Sequence, residues 1–375
     1  MGRPFTSRYP FLSALLLLWG ALFVGACSWF APKRPSRIDR HQLAFHVRNT
    51  IEEAGGSQVW VKIPAGTPFP PGRADAVTEV LALPATFDAV ITAIRQAAGK
   101  DGAALTTREI RFPARGRGVE IRLLEQNQLL GRWRLHEVKR LYRAAIVIDD
   151  LGEDLEAARR LLHLPYPLTF SVLPYLRHSV ETAEEAHQAG REVMLHLPMQ
   201  PEPGTPVSPG QGEIKRGMRS EEVGRTLRAD LAAVPYATGV NNHMGSRATA
   251  DAALMTTVME ALEERRLYFV DSRTTAASVA LEAARRARLP AFYRSVFLDD
   301  RESVAYSLGQ LREFRRVVEE QGVAIAIGHP HATTLAALAQ FLPELERDNI
   351  QLVPASELVH LPEVAHLSPP RRPEP

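Results

Sequence analysis

Five short apolar runs in this chain stop at or just before groups able to hold a metal or move a proton. Ile146-Val147-Ile148 ends on Asp149-Asp150, Val193-Met194-Leu195 on His196, and Gly239-Val240-Asn241-Asn242 on His243. Tyr268-Phe269-Val270 ends on Asp271, and Ala324-Ile325-Ala326-Ile327 is followed by His329 and His331. Adjacent aspartates at a strand end set one carboxylate toward the mouth of a sheet and the other beside it, a geometry suited to one metal ligand and one base. Neutral imidazoles joined to a carboxylate suit zinc or another borderline divalent cation, with positions left open for water and substrate. Taken singly, each residue has a plainer role: Asp150 as a helix cap, and His196 as a core histidine among Leu195, Leu197 and Pro198. Their recurrence at strand ends argues for a site.

Those runs are strand-sized, and amphipathic segments of helical length separate them, which predicts βα units around a parallel sheet buried on both faces. Further strands are expected near 168–173, 292–298 and 350–353, making about eight. Helices are expected over 180–189, 220–233, 252–265, 276–287, 304–320 and 334–346. No glycine-rich dinucleotide fingerprint follows the first strand, so a closed or nearly closed barrel is favoured over an open doubly wound sheet. In such folds the chemistry gathers at the carboxyl ends of the strands. Residues 199–217, with four prolines and four glycines, form a long loop expected on that face, as a lid, a substrate wall or a tolerated insertion.

Before the barrel, residues 32–142 read as a small α+β domain, with helices near 41–54 and 86–98 and five short strands. Its His41, His46 and His136 are scattered and form no evident ligand set. Ahead of it, Arg3 and Arg8 precede an uncharged stretch from Phe11 to Ala31, which reads as an export or membrane segment. Cys27, the only cysteine, follows Phe23-Val24-Gly25-Ala26 and resembles a lipidation site; an uncleaved membrane anchor is the competing reading. Both, like a simple secreted form ranked behind them, place the folded part outside the cytoplasm, and the first two put it in the periplasm or cell envelope, tethered to the membrane through the N-terminus. A single thiol excludes an internal disulfide framework and any multi-cysteine zinc site. Charges nearly balance, 45 basic against 43 acidic, so nothing supplies the net basic surface that nucleic acid requires. Residues 362–375 are expected to be a disordered tail.

The blocks Ile148-Asp149-Asp150-Leu151-Gly152, Leu195-His196-Leu197-Pro198-Met199, Asn241-Asn242-His243-Met244-Gly245-Ser246-Arg247, Val270-Asp271-Ser272-Arg273-Thr274 and Gly328-His329-Pro330-His331 resemble, in order, the divergent polysaccharide deacetylase family. The resemblance covers about residues 144–361. It implies an α/β fold with a deformed (β/α) barrel of about seven to eight strands, related to metal-dependent enzymes that remove acetyl groups from amino sugars. By position it implies Asp149 as general base, Asp150 and His196 as metal ligands, Asp271 as an orienting group, and His329 or His331 as the acid. The family's second histidine would fall at Gln200, so His243 is the expected substitute. Asn241, Asn242, Ser246 and Arg247 could donate hydrogen bonds to sugar hydroxyls or to a developing oxyanion, or could merely form a turn. The implied partner is an envelope polysaccharide such as peptidoglycan. Two alternatives stay open: a glycosidase using Asp149 and Asp271 as its carboxylate pair, and a non-catalytic glycan-binding or scaffold protein on a degenerate barrel.

Overall fold

The computed structural model describes residues 38–112 and 116–367. The export segment with Cys27, the spacer to residue 37 and the last residues of the tail lie outside that range. Among the described residues no helix is long and apolar enough to cross a membrane.

The chain opens with α1 (Arg40–Gly55), β1 (Val59–Lys62), β2 (Val77–Ala82), α2 (Pro84–Lys100), β3 (Ala104–Phe112), β4 (Gly116–Glu125) and β5 (Gln128–Glu137). These strands form one sheet in the order β1-β2-β5-β4-β3, mostly antiparallel, with β2 and β5 parallel. Apolar residues recur at helical spacing in α1 (Leu43, Val47, Ile51) and α2 (Phe87, Val90, Ile94), and at alternate positions in β4 (Val119, Ile121, Leu123). Together they close a separate core. The expected α+β unit is therefore present, with β3 longer than the sequence suggested. His46 pairs with Asp101 at 2.7 Å and His136 with Glu79, so neither is a spare ligand.

The barrel follows as β6 (Tyr142–Leu151), α3 (Leu155–Leu162), β7 (Thr169–Val172), α4 (Ser179–Gln188), β8 (Glu192–Met199), α5 (Ser220–Ala233), β9 (Ala237–Met244), α6 (Ala252–Glu263), β10 (Tyr268–Asp271), α7 (Ala280–Arg286), β11 (Ala291–Phe297), α8 (Val304–Gln321), β12 (Val323–Gly328), α9 (Ala332–Arg347), β13 (Ile350–Leu352) and α10 (Ala355–Val359). Strands β6 to β12 are parallel neighbours in sequence order, and β12 pairs back onto β6, closing a seven-stranded barrel. The eighth strand, β13, pairs only with residues 142–144 of β6, below the point where β7 pairs with 147–151 of the same strand. Helix α3, capped by Asp154, was not anticipated. Within the stretch expected to be disordered, Pro362–His366 makes a 3₁₀ turn, and Val364 packs with Leu358 and Leu361 under the barrel.

Side-chain alternation sorts the strands into two cores. Ala144, Ile146 and Ile148 face the helices, whereas Ala145 and Val147 fill the barrel. In the same way Val193, Leu195 and Leu197 face out while Met194 faces in, and Ala324 and Ala326 oppose Val323, Ile325 and Ile327. The small domain docks at the other end of the barrel, near the strand starts. There Lys62 Nζ donates to Glu346 O at 2.7 Å and to Asn349 Oδ1 at 3.1 Å, and Arg140 donates to Glu320 O at 3.1 Å.

Candidate metal centre

Continuing the inward rows past their last apolar residues brings Asp149 (after Val147), His196 (after Met194), His243 (after Gly239 and Asn241) and His329 (after Ile327) to the carboxyl rim. Asp150 would point the other way in a regular strand. It adopts φ +56, and the pairing of β6 with β7 shifts register between Ile148 and Leu151, so this local distortion turns its carboxylate back over the mouth. The turn then passes through Gly152 at φ +120, where a Cβ would lie 3.1 Å from Ser179 Oγ and 3.3 Å from Leu173 O; only glycine fits there comfortably.

Three donor atoms converge. Asp150 Oδ1 is 3.1 Å from His196 Nε2 and 3.0 Å from His243 Nδ1, and the two imidazole nitrogens are 3.1 Å apart. Asp150 Oδ1 is buried, yet neither imidazole meets it in regular hydrogen-bond geometry. A triangle of this size is the face presented by three ligands at about 2.0–2.2 Å from one ion. Two imidazoles and a carboxylate form a donor set for a borderline divalent cation. Asp149, almost fully buried, lies beside the triangle with Oδ2 3.6 Å from His196 Nε2.

One residue holds this arrangement in place. Asn241 Nδ2 donates to Asp149 Oδ1 at 2.7 Å, which fixes the amide orientation and leaves its Oδ1 to accept from Ser171 Oγ at 2.7 Å and from His196 Nδ1 at 2.8 Å. In its neutral form His196 therefore carries its proton on Nδ1 and presents a lone pair at Nε2. Burial alone would lower the His196 pKa, but the facing carboxylates of Asp149 and Asp150 hold it above the ordinary value. Burial would likewise raise the Asp150 pKa, and contacts with His196 and His243 drive it far below the carboxylate range instead.

Across the mouth, Asp299 accepts from His329 Nδ1 at 3.0 Å, from the His329 backbone N at 2.6 Å and from Thr334 Oγ1 at 2.6 Å. This leaves His329 Nε2 facing the site, 3.7 Å from Asp150 Oδ2. Burial opposes charge on this ring, but the Asp299 hydrogen bond, aided by Asp149 and Asp150, pushes His329 up to about 9. Asp299 was missed in the sequence because Asp299-Asp300-Arg301-Glu302 reads as a solvated charged loop. Its place two residues beyond Phe297 was the available signal, weakened by the register shift of β11 between Arg294 and Val296. His331 caps α9, lies 3.8 Å from Glu302 and is absent from the cavity wall, so of the two candidate acids His329 is the one in position.

Several expected roles move. Asp271 shares the parity of outward-facing Phe269; it is buried and accepts from Arg273 N and Ser278 Oγ, both at 2.8 Å, bracing the loop before α7. Unlike Asp149 it does not line the cavity, which counts against the glycosidase reading. Asn241 is buried in the network above and Asn242 ties Met244 O to Ser272 N, so both serve the site's framework. Ser246 accepts from Glu202 N, and neither it nor Arg247 lines the cavity; both follow the turn at Gly245. Gln200 does not aim at the triangle either: its Oε1 accepts from Arg216 N at 3.0 Å, helping to fold the 199–217 loop back along β8. Ile214 pairs with Met199 and is fully buried, and no residue of 200–217 lines the cavity, so the loop is neither lid nor substrate wall in this conformation.

The cavity over the triangle has a volume of about 690 Å³ and extends toward β11 and α8, with Arg273, Arg294, Phe297 and Tyr306 in its wall. That is within the usual range for a small-ligand site.

Residues 146–359, more than half of the chain, match the family of divergent polysaccharide deacetylases. An uncharacterized protein of Escherichia coli (strain K12), YibQ, is 39% identical over 227 residues, covering 60% of this chain and 70% of its own. An uncharacterized protein of Haemophilus influenzae (strain ATCC 51907 / DSM 11121 / KW20 / Rd) is 37% identical over 209 residues, covering 56% and 74%. Among solved structures, the uncharacterized protein ATU2773 from Agrobacterium tumefaciens C58 superposes with a TM-score of 0.56 at 25% identity, covering 58% of this chain and 89% of that one. The matched residues are the ones that build the closed barrel and its inward Asp/His row, and the chain belongs to the divergent polysaccharide deacetylase family.

Proposed function

We propose that the protein is a metal-dependent hydrolase that removes acetyl groups from an amino-sugar polysaccharide of the cell envelope. The observation that carries this reading is the convergence of Asp150, His196 and His243 at 3.0–3.1 Å, with Asp149 beside them and His329 opposite. Asp150, His196 and His243 would hold a divalent cation, zinc being the best match to the donor set. When bound, the cation supplies Lewis acidity to the acetyl carbonyl. Asp149, held by Asn241, takes a proton from the attacking water as the new C–O bond forms. His329, charged at neutral pH, gives its Nε2 proton to the amine as the C–N bond breaks, releasing acetate and the free amino sugar.

A glycan-binding protein without catalysis is the competing reading, suggested by Gln200 at an expected ligand position. His243 answers that departure by supplying the third donor from the neighbouring strand. An N-terminal tether at Cys27 or through the apolar stretch before it would keep the barrel at the envelope, near such a substrate. The test is acetate release from chitooligosaccharides and from peptidoglycan by the zinc-loaded protein. Release that disappears in H196A and H243A supports hydrolysis; no release from either polymer with metal bound removes it.

A further inference from the structure

We infer that Arg273 makes this cavity selective for an acidic sugar, one carrying a carboxylate close to the acetamido group; the inference rests on the deacetylase reading for the amide and on the cavity wall for the acid. Arg273 follows β10 with φ +49, a left-handed conformation that residues other than glycine, asparagine and aspartate rarely adopt. The strain is held from both sides: its backbone N donates to Asp271 Oδ1 at 2.8 Å, and its carbonyl accepts from Arg294 Nη2 at 2.9 Å. This explains the buried Asp271 better than a catalytic role does. Its carboxylate secures the one loop position that carries a cationic side chain into the wall of the metal cavity.

The Arg273 guanidinium has no hydrogen bond or ion pair to any other described residue. Beside it, Arg294 is positioned by Ser272 O at 2.6 Å and stacks on Phe297 with 4.6 Å from its guanidinium carbon to the ring centroid. Two guanidiniums thus share one wall. None of the carboxylates lining the cavity is hydrogen-bonded to or ion-paired with Arg273, and Asp271 behind the wall attracts it without a side-chain contact. Asp149 and Asp150 belong to the metal site, Glu313 accepts from Arg316 at 2.8 Å, and Asp300 sits exposed at the rim. A planar cation left without an acceptor in a half-enclosed cavity matches a planar carboxylate on the ligand, which it can grip through two hydrogen bonds.

The test is direct binding, independent of turnover. Calorimetry on the zinc-loaded protein compares chitotetraose, which is neutral, with a peptidoglycan tetrasaccharide of equal length whose N-acetylmuramic acid units carry lactyl carboxylates. A phosphorylated chitooligosaccharide distinguishes a general anion site from a carboxylate site. The inference expects the carboxylate ligand to bind about tenfold tighter than the neutral one. That preference should fall as salt rises, be largely lost in R273Q and be partly kept in R273K. Equal affinities in the wild type, a preference surviving in R273Q, or a larger preference for phosphate would overturn it. If R273Q fails to fold, the wild-type preference and its salt dependence decide. A carboxylate preference without acetate release would keep this inference and remove the hydrolase reading; acetate release without the preference would do the reverse.

Discussion

Replacing Asn241 by alanine isolates the network that aims the candidate metal ligands. In the native protein its amide satisfies three buried groups at 2.7–2.8 Å: the Ser171 hydroxyl, His196 Nδ1 and Asp149 Oδ1. N241A removes all three bonds at once, and a water admitted to the vacated space can restore only part of them. Two of the three involve a carboxylate or a metal-ligating imidazole, where each bond is worth about 1.5–3 kcal/mol, so a loss of roughly 2–4 kcal/mol in stability is expected after partial rescue. The effect specific to function is separate. Without its acceptor His196 no longer keeps its proton on Nδ1, and loss of such a supporting contact weakens metal binding by about 10–100-fold. At a fixed excess of zinc that weakening removes about 1.4–2.7 kcal/mol of the metal's stabilisation, or roughly 3–10 °C of the zinc-induced rise in melting temperature. The assay is thermal denaturation of wild type and N241A with and without zinc. If N241A melts lower but shows the full zinc-induced rise, Asn241 is a packing residue and the argument that it sets the His196 tautomer is wrong.

Other expectations test neighbouring parts of the account. H329Q should leave zinc affinity within a few-fold of wild type while lowering kcat about 10²–10⁴-fold, measured by acetate release against calorimetric zinc binding. Q200H should bind zinc no more tightly than wild type, because position 200 is turned toward Arg216 N and away from the triangle; a gain in affinity would mean the loop is misplaced. Asp230 on α5 is buried beside the loop at Gly212, and burial pushes its carboxyl up to about 7, with Tyr175 opposing only in part. The folded state therefore holds a proton that the unfolded chain releases near pH 4, so this contribution is complete below pH 4 and is lost as pH rises through about 7. D230N should flatten that dependence and stand above wild type by roughly 3–4 kcal/mol at pH 8 relative to pH 4, read from denaturation midpoints at the two pH values.

Much of this architecture could be read from the chain because each inward strand row ends on a functional group. The apolar runs before Asp149, His196, His243 and His329 revealed strands, and the helical spacing between them revealed the barrel. What could not be read was the side of the strand on which each final residue falls. One position of parity separates His243, which joins the triangle, from Asn242, which braces Ser272 N. The same one-residue difference turns Asp271 out toward Ser278 and leaves it outside the cavity wall that Asp149 lines. Asp150 breaks the rule in the other direction, through a positive φ that no propensity reveals. Asp299 stayed hidden because β11 shifts register between Arg294 and Val296, which disrupts the alternation that would have marked its end as an inward position. The path of the long 199–217 loop, pinned by Gln200 and Ile214, depends on contacts that composition does not encode.

The most direct test of the central claim is anomalous diffraction at the zinc edge from crystals of the zinc-loaded protein. One ion is expected, bound by Asp150 Oδ1, His196 Nε2 and His243 Nδ1 at about 2.0–2.2 Å, with His329 Nε2 nearby and still bonded through Nδ1 to Asp299. An ion held instead by Asp299, His329 and His331, or no ion at saturating zinc, would contradict it.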